Sequence, residues 1–163
     1  MQQNTFDTET FRKALGQFPT GVTIVTTMSN EGEPVGMTVS SFNTLSMNPP
    51  LIAWSIDHKA RSLSFFENAE YFAVNVLNEH QQDLSNLFAC PGADKFNETE
   101  FTEGLGRAPL LPGCVAQFEC RTWNTYPGGD HTIIIGEVLE LRHDDSQRAL
   151  VFYQSQYAAV KQD

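Results

Sequence analysis

Two runs, Val115-Ala116-Gln117-Phe118-Glu119-Cys120-Arg121-Thr122-Trp123-Asn124-Thr125-Tyr126 and His131-Thr132-Ile133-Ile134-Ile135-Gly136-Glu137-Val138-Leu139-Glu140-Leu141-Arg142, flank Pro127-Gly128-Gly129-Asp130, and their reading decides the architecture. Both are rich in β-branched and aromatic residues, which fit a pleated surface. The glycines between them supply the positive φ that a tight hairpin needs. Working outward, Val22–Met28 and Val35–Ser41 are extended segments separated by the turn residues Ser29-Asn30-Glu31-Gly32-Glu33-Pro34, a second hairpin. Leu51–Ile56 follows Pro49-Pro50 as a further strand, Tyr71–Leu77 alternates as another, and Leu150–Tyr153 adds a short last one. Helical spacing is confined to Thr5–Leu15, which Gly16 is placed to end, to Arg61–Asn68, and to Gln81–Phe88, where Leu84, Leu87 and Phe88 share a face. Short helices among about six mostly hairpin-linked strands predict a mainly β, antiparallel barrel and argue against a doubly wound parallel sheet. The long segment Pro91–Gly113 reads as a loop covering a site.

The chain has 163 residues, the size of one domain, and no repeat or linker divides it, so residues 1–163 are expected to form one unit with a core over about 10–157. Ten Lys and Arg against 20 Asp and Glu give a net charge of -10, which a phosphate backbone or an anionic lipid surface would repel. Nucleic acid and membrane are therefore poor partners. No apolar run is long enough to span a bilayer, and Asp7 and Glu9 ahead of Phe11 spoil any signal pattern, so a cytoplasmic location is expected. Cys90, Cys114 and Cys120 form no C-x-x-C pair, and reduced thiols are the simplest reading. Cys114 and Cys120 on one strand would share a face but stand roughly 20 Å apart, too far for a disulfide or a common metal.

Several familiar chemistries are missing. The Gly104-Leu105-Gly106 stretch is followed by Arg107-Ala108-Pro109 and not by a helix start, which excludes a dinucleotide-binding βα turn. No P-loop, G-x-S-x-G elbow or H-E-x-x-H helix occurs, and His58, His80, His131 and His143 lack metal-ligand spacing. What remains is a row of small hydroxyl residues, Gly36-Met37-Thr38-Val39-Ser40-Ser41-Phe42-Asn43-Thr44-Leu45-Ser46, in which Thr38 and Ser40 share a face by strand alternation. Such a row can hold a phosphate or a ribityl chain, and equally reads as a polar strand face. Asp57-His58-Lys59-Ala60-Arg61-Ser62 places two cations at a strand end and helix start, an anion site if free backbone N–H groups join them, and otherwise a solvated turn. The apolar Trp54, Phe72 and Ile133–Ile135 exceed what one small barrel holds, so a homodimer is expected to bury the surplus.

In order along the chain, Phe18-Pro19-Thr20-Gly21-Val22-Thr23, Gly36-Met37-Thr38-Val39-Ser40-Ser41-Phe42, Pro49-Pro50-Leu51, Phe72-Ala73-Val74-Asn75-Val76-Leu77 and Gly129-Asp130-His131 resemble the short-chain flavin reductases of two-component monooxygenases. The resemblance implies a flavin-binding split β-barrel of Greek-key type and a homodimer with flavin near the subunit interface. It implies NADH or NADPH as reductant for FMN or FAD, and delivery of reduced flavin to a separate oxygenase component. Carried over by position, it puts Thr38, Ser40, Ser41, Asn43 and Ser46 along the ribityl chain and ring edge, Lys59, Arg61 and Ser62 on the phosphate, and His131 beside the nicotinamide as the catalytic position. Without the resemblance, His131 reads as a hairpin residue bonding Asp130 or the backbone. Phe96 reads either as a wall against the flavin or as a core anchor. Two rival readings are a non-catalytic flavin or haem binding module and a flavin-dependent oxidase of a phosphorylated substrate, the latter calling for a denser basic site.

Overall fold

The computed structural model describes residues 3–92 and 94–163. Along the chain stand the helix α1 (Thr8–Leu15), the strands β1 (Thr20–Gly21), β2 (Thr23–Met28), β3 (Pro34–Val39), β4 (Asn43–Met47) and β5 (Pro50–Asp57), the helix α2 (Leu63–Glu67) and β6 (Tyr71–Val76). After them come α3 (Gln82–Ala89), β7 (Thr102–Glu103), a 3-10 turn at Leu105–Arg107, β8 (Pro109–Leu110), β9 (Ala116–Gly128), β10 (His131–His143), β11 (Leu150–Tyr153) and β12 (Gln156–Ala159). Seven strands make one antiparallel sheet in the order β3-β2-β6-β9-β10-β5-β4.

The two edge strands of that sheet, β3 and β4, are consecutive in the chain and joined only by Ser40, Ser41 and Phe42. Laid flat, seven strands at about 4.8 Å spacing would hold their edges roughly 29 Å apart. Four residue steps reach no more than about 14 Å. The sheet must therefore curl until its edges approach. Ser41 fastens the gap: its Oγ donates to the Ser55 carbonyl at 2.9 Å and accepts the Ser55 N–H at 3.0 Å. No ladder of strand hydrogen bonds closes the sheet among the described residues, so the expected antiparallel, mainly β architecture is present while a closed barrel is not.

The long hairpin is tighter than its sequence suggests. Pro127 and Gly128 belong to β9, with Gly128 opposite His131, and the turn is only Gly129-Asp130, where Gly129 takes φ +69°. Two bulges, at Trp123 on β9 and Leu139 on β10, bend the pair. Gly136 lies where the Phe72 ring and Cys120 press on the backbone, leaving no room for a Cβ. The core on this side gathers Val25, Trp54, Ile56, Phe66, Phe72 and Ile134, with Trp54 edge-on to Phe66 at 5.0 Å and to Phe72 at 6.0 Å. Trp54, Phe72 and Ile134 are thus interior residues of one chain, and only Ile133 and Ile135 of the expected surplus face outward. The error lies in counting strand residues without their alternation: on β5 and β10 every second side chain points inward.

The segment read as a cover loop divides in two. Its second half contains β7, the 3-10 turn and β8, and is welded to the sheet by buried polar groups. Thr26 Oγ1 donates to the Pro109 carbonyl (2.6 Å), Asn75 Oδ1 accepts from the Leu111 N–H (2.9 Å) and from Gln117 Nε2 (2.8 Å), and Glu119 accepts from the Leu105 N–H (2.8 Å) and from Arg142 (3.1 Å). Leaving such buried groups unpaired is costly, so this half is part of the framework and not a movable lid. The first half carries Phe96, packed edge-on between Phe88 and Phe101 at 5.0 and 5.3 Å as a core anchor.

Smaller differences have local causes. The helix expected from Thr5 begins at Thr8 because the Asp7 side chain caps it, accepting from the Thr10 N–H at 2.7 Å. The helix expected over Arg61–Asn68 shrinks to the five residues of α2. β4 and β12 carry no strand signal in their sequences and form because neighbouring strands offer them free edges. Cys114 precedes β9 and does not share a strand with Cys120. All three cysteines are free, and burial pushes the thiols of Cys114 and Cys120 up to about 12. No helix among the described residues is long and apolar enough to cross a membrane.

Candidate functional site

Strand β5 organises the candidate site. Its inward residues Ile52, Trp54 and Ile56 are core, while Leu51, Ala53, Ser55 and Asp57 look outward and are half-buried. On its β10 side the register places His131 opposite Asp57, Ile133 opposite Ser55 and Ile135 opposite Ala53, so these six form one outward surface. On its β4 side Asn43 lies opposite Ala53 and Ser46 opposite Leu51, and Ser41 is hydrogen-bonded at Ser55. The result is an outward surface with apolar Ala53, Ile133 and Ile135 at one end, Ser55, Asp57 and His131 at the other, and further polar groups along the β4 margin.

The nine residues picked out by sequence do not all meet. Asn43, Ser46 and the Ser40–Ser41 link run along the β4 margin; Lys59, Arg61 and Ser62 follow directly from the Asp57 end of β5; His131 sits across β5 from the link. Ser46 is the far end of the row, six residues or about 20 Å from the Asp57 end. Thr38 stands apart. Its hydroxyl donates to the Ser85 carbonyl of α3 at 2.7 Å, and β3 ends at Val39, so the expected common face of Thr38 and Ser40 is broken by a bend at Ser40. Ser41 spends its hydroxyl on both backbone groups of Ser55, which makes it a clasp of the fold. Ser40 and Asn43 remain exposed, and Asn43 Oδ1 accepts from the Thr44 N–H at 3.0 Å.

Lys59 and Arg61 are exposed and take part in none of the ion pairs found among the described residues. The Lys59 N–H donates to the Asp57 carboxylate at 2.8 Å, and Ser62 Oγ lies 3.4 Å from Met37 Sδ. His131 Nδ1 is 2.7 Å from the Asp130 carboxylate, which that hydrogen bond and then the imidazole charge hold below the ordinary carboxyl range. With Nδ1 engaged, Nε2 is the ring atom left for a ligand.

A further chain of bonds escaped sequence reading. Glu67 accepts from Thr132 Oγ1 at 2.7 Å, Thr132 Oγ1 lies 3.1 Å from His58 Nε2, and the His58 N–H donates to the Asp130 carbonyl at 3.0 Å. These bonds tie α2 and the cationic turn to the tip of the hairpin. The partners are up to 74 residues apart, so no local pattern announces them.

The residues present fit a flavin nucleotide: half-buried Ala53, Ile133 and Ile135 to meet a planar ring, hydroxyl and amide groups along their margin, and two cations at the end that pair with no carboxylate among the described residues. Comparison with known proteins agrees. The model of the flavin reductase-like domain matches residues 15–161. The chain is 39% identical over 157 residues to the reductase subunit HsaB of a flavin-dependent monooxygenase from Rhodococcus jostii, covering 96% of this chain and 80% of that protein. It is 42% identical over 139 residues to the FMN reductase (NADH) SmoA of Agrobacterium fabrum, covering 85% and 79%. Among solved structures, the NADH:FAD oxidoreductase SgcE6 of Streptomyces globisporus, in complex with NAD and FAD fragments, superposes with a TM-score of 0.91 at 34% identity over 96% of this chain and 94% of that one. The chain therefore belongs to the flavin reductase-like domain family.

Proposed function

We propose that the protein is an NAD(P)H-dependent flavin reductase that passes reduced FMN or FAD to a separate monooxygenase component. The observation that carries the reading is the meeting, around one strand, of the outward apolar Ala53, Ile133 and Ile135, of Lys59 and Arg61, which pair with no carboxylate among the described residues, and of an oriented His131. Relatives named as reductases of two-component systems support it. When bound, the flavin supplies the hydride-accepting chemistry, which a protein side chain cannot offer. The chain's own residues position and exclude: Ala53, Ile133 and Ile135 give the ring an apolar floor, Ser40, Asn43 and Ser46 line the polar chain, and Lys59 and Arg61 oppose the phosphate charge. His131, fixed by Asp130 and indirectly by Glu67, Thr132 and His58, holds the nicotinamide side. Holding two reactants in register is worth up to about 7–11 kcal/mol of barrier, so acid–base machinery is not required.

In this reading residues 1–163 act as one domain, the curled sheet serves as a flavin-binding split barrel, and the enzyme works in the cytoplasm. Purified protein should oxidise NADH or NADPH only when flavin is present, as followed by the loss of absorbance at 340 nm. Equal rates from a fully flavin-stripped sample would overturn the proposal.

The same reading includes a homodimer. Its support is the set of large side chains left in water on β4, β9 and β10, with Met47 93%, Leu141 59%, Leu45 53% and Trp123 51% exposed. So many on adjoining strands mark a surface that another chain covers. Light scattering at micromolar concentration should report twice the chain mass, and a monomer would refute the assembly.

A further inference from the structure

Gln117 on β9 is 8% exposed and turns both hydrogens of its side-chain amide inward, Nε2 donating to Asn75 Oδ1 at 2.8 Å and to the Leu111 carbonyl at 2.7 Å. Its two acceptors fix which end of the amide is which. The Leu111 oxygen is a carbonyl, and Asn75 Oδ1 already accepts the Leu111 N–H at 2.9 Å, so a turned-over amide would set oxygen against oxygen. Gln117 Oε1 is left without a partner among the described residues. A buried acceptor in that position calls for a donor.

Gln117 lines a cleft of about 450 Å³ whose apolar walls are Phe101, Leu110, Leu111 and Pro112. Arg142 lines it too, directly opposite Gln117 in the β9–β10 register. Such cross-strand neighbours stand about 5 Å apart at Cβ. Of the five N–H groups of Arg142, one is engaged among the described residues, with Glu119 Oε2 at 3.1 Å. An open acceptor and open donors thus face one space side by side. A hydroxyl is the small group that donates to the first and accepts from the second. The walls ask for an apolar body, and Phe101, edge-on to Phe96 at 5.3 Å, offers it an aromatic contact. Charge selects against an acid: Arg142 is paired with Glu119, and the exposed Glu100 on the same rim takes part in no ion pair among the described residues. Arg142 and His131 lie near opposite ends of the 13-residue β10, so the cleft is separate from the surface around β5.

We propose that this cleft is a second ligand site, which takes a neutral single-ring phenol. The ring lies against Phe101, Leu110 and Pro112, and the hydroxyl donates to Gln117 Oε1 while accepting from an Arg142 N–H. Ligand pockets begin at about 300 Å³, so one ring with its substituents fills the space and a flavin does not fit. The site does not depend on the flavin reductase reading.

Titrating phenol, anisole and benzoate into the ¹⁵N-labelled full chain, with and without FMN, tests it. Phenol should shift the Gln117 side-chain amide and the Arg142 Nε–H signals saturably, with or without FMN. Anisole, which cannot donate, and benzoate, which brings a charge, should each bind at least tenfold more weakly, because a site built for a hydroxyl leaves its own groups unpaired with either. Thr102, exposed and opposite Leu110 at the mouth of the cleft, can be enlarged without breaking a framework bond, and Thr102→Trp should abolish phenol binding while Tm holds. If Thr102→Trp fails to fold, the comparison of the three probes on wild type still decides. No saturable shift at Gln117 and Arg142, equal affinity for phenol and anisole, displacement of phenol by FMN, or a folded Thr102→Trp that binds phenol as wild type does would each overturn the proposal.

Discussion

Replacing both Lys59 and Arg61 with Ala should lower flavin affinity at least tenfold while leaving the fold intact, whereas His131→Ala should leave affinity within about threefold and slow reduction by NAD(P)H. The difference follows from position. The two cations stand past the Asp57 end of β5, and neither is used in an ion pair among the described residues. Hydrogen bonds to charged groups are worth roughly 1.5–3 kcal/mol each, less when exposed to water, so two of them lost together still exceed the 1.4 kcal/mol that makes a factor of ten. His131 lies across β5 from the hydroxyl margin, with Nδ1 held by Asp130. Removing its ring takes away one contact on the reductant side and exposes no buried charge. Fluorescence titration with flavin and stopped-flow reduction separate the two variants. If His131→Ala loses flavin as badly as the double variant, His131 belongs to the flavin and not to the nicotinamide.

Trp54→Ala should destabilise the protein by about 3–5 kcal/mol, the usual cost of emptying a buried aromatic site. Trp54 is 1% exposed and joins Phe66 of α2 to Phe72 of β6 through edge contacts, so its loss opens a cavity that three elements border. For a chain of this size each kcal/mol shifts Tm by about 2–4 °C, giving a fall of roughly 6–20 °C. Denaturant unfolding should show a lower midpoint with an unchanged slope. Trp54→Phe keeps a ring in the slot and should cost less than half as much. Equal losses from the two substitutions would mean that the indole's packing is not what matters there. Because Ala53 and Ser55 sit on the opposite face of the same strand, flavin affinity should fall with stability in Trp54→Ala.

Much of the candidate site is legible in the chain because its parts are short and contiguous. Lys59, Arg61 and Ser62 are neighbours, Asn43 and Ser46 lie in one run, and His131 directly follows the Gly129-Asp130 turn of an unmistakable hairpin. Thr38 and Ser41 were read alike from their residue type, and the structure separates them: one caps a carbonyl of α3, the other clasps Ser55. A hydroxyl's role depends on what stands opposite it, and the opposite element comes from elsewhere in the chain.

By itself the sequence determined the mainly β character, the antiparallel pairing of the hairpins, and the family. All of these rest on local propensity, turn chemistry or ordered motifs, which act over a few residues. Only the tertiary structure decided that the sheet's edges meet through Ser40–Phe42, that Trp54, Phe72 and Ile134 lie inside one chain, and that residues 105–111 are framework and not lid. The reason is physical: curling a seven-stranded sheet and satisfying the buried amides of Asn75, Gln117 and Leu111 are set by contacts between distant segments, whose free energy no single segment contains.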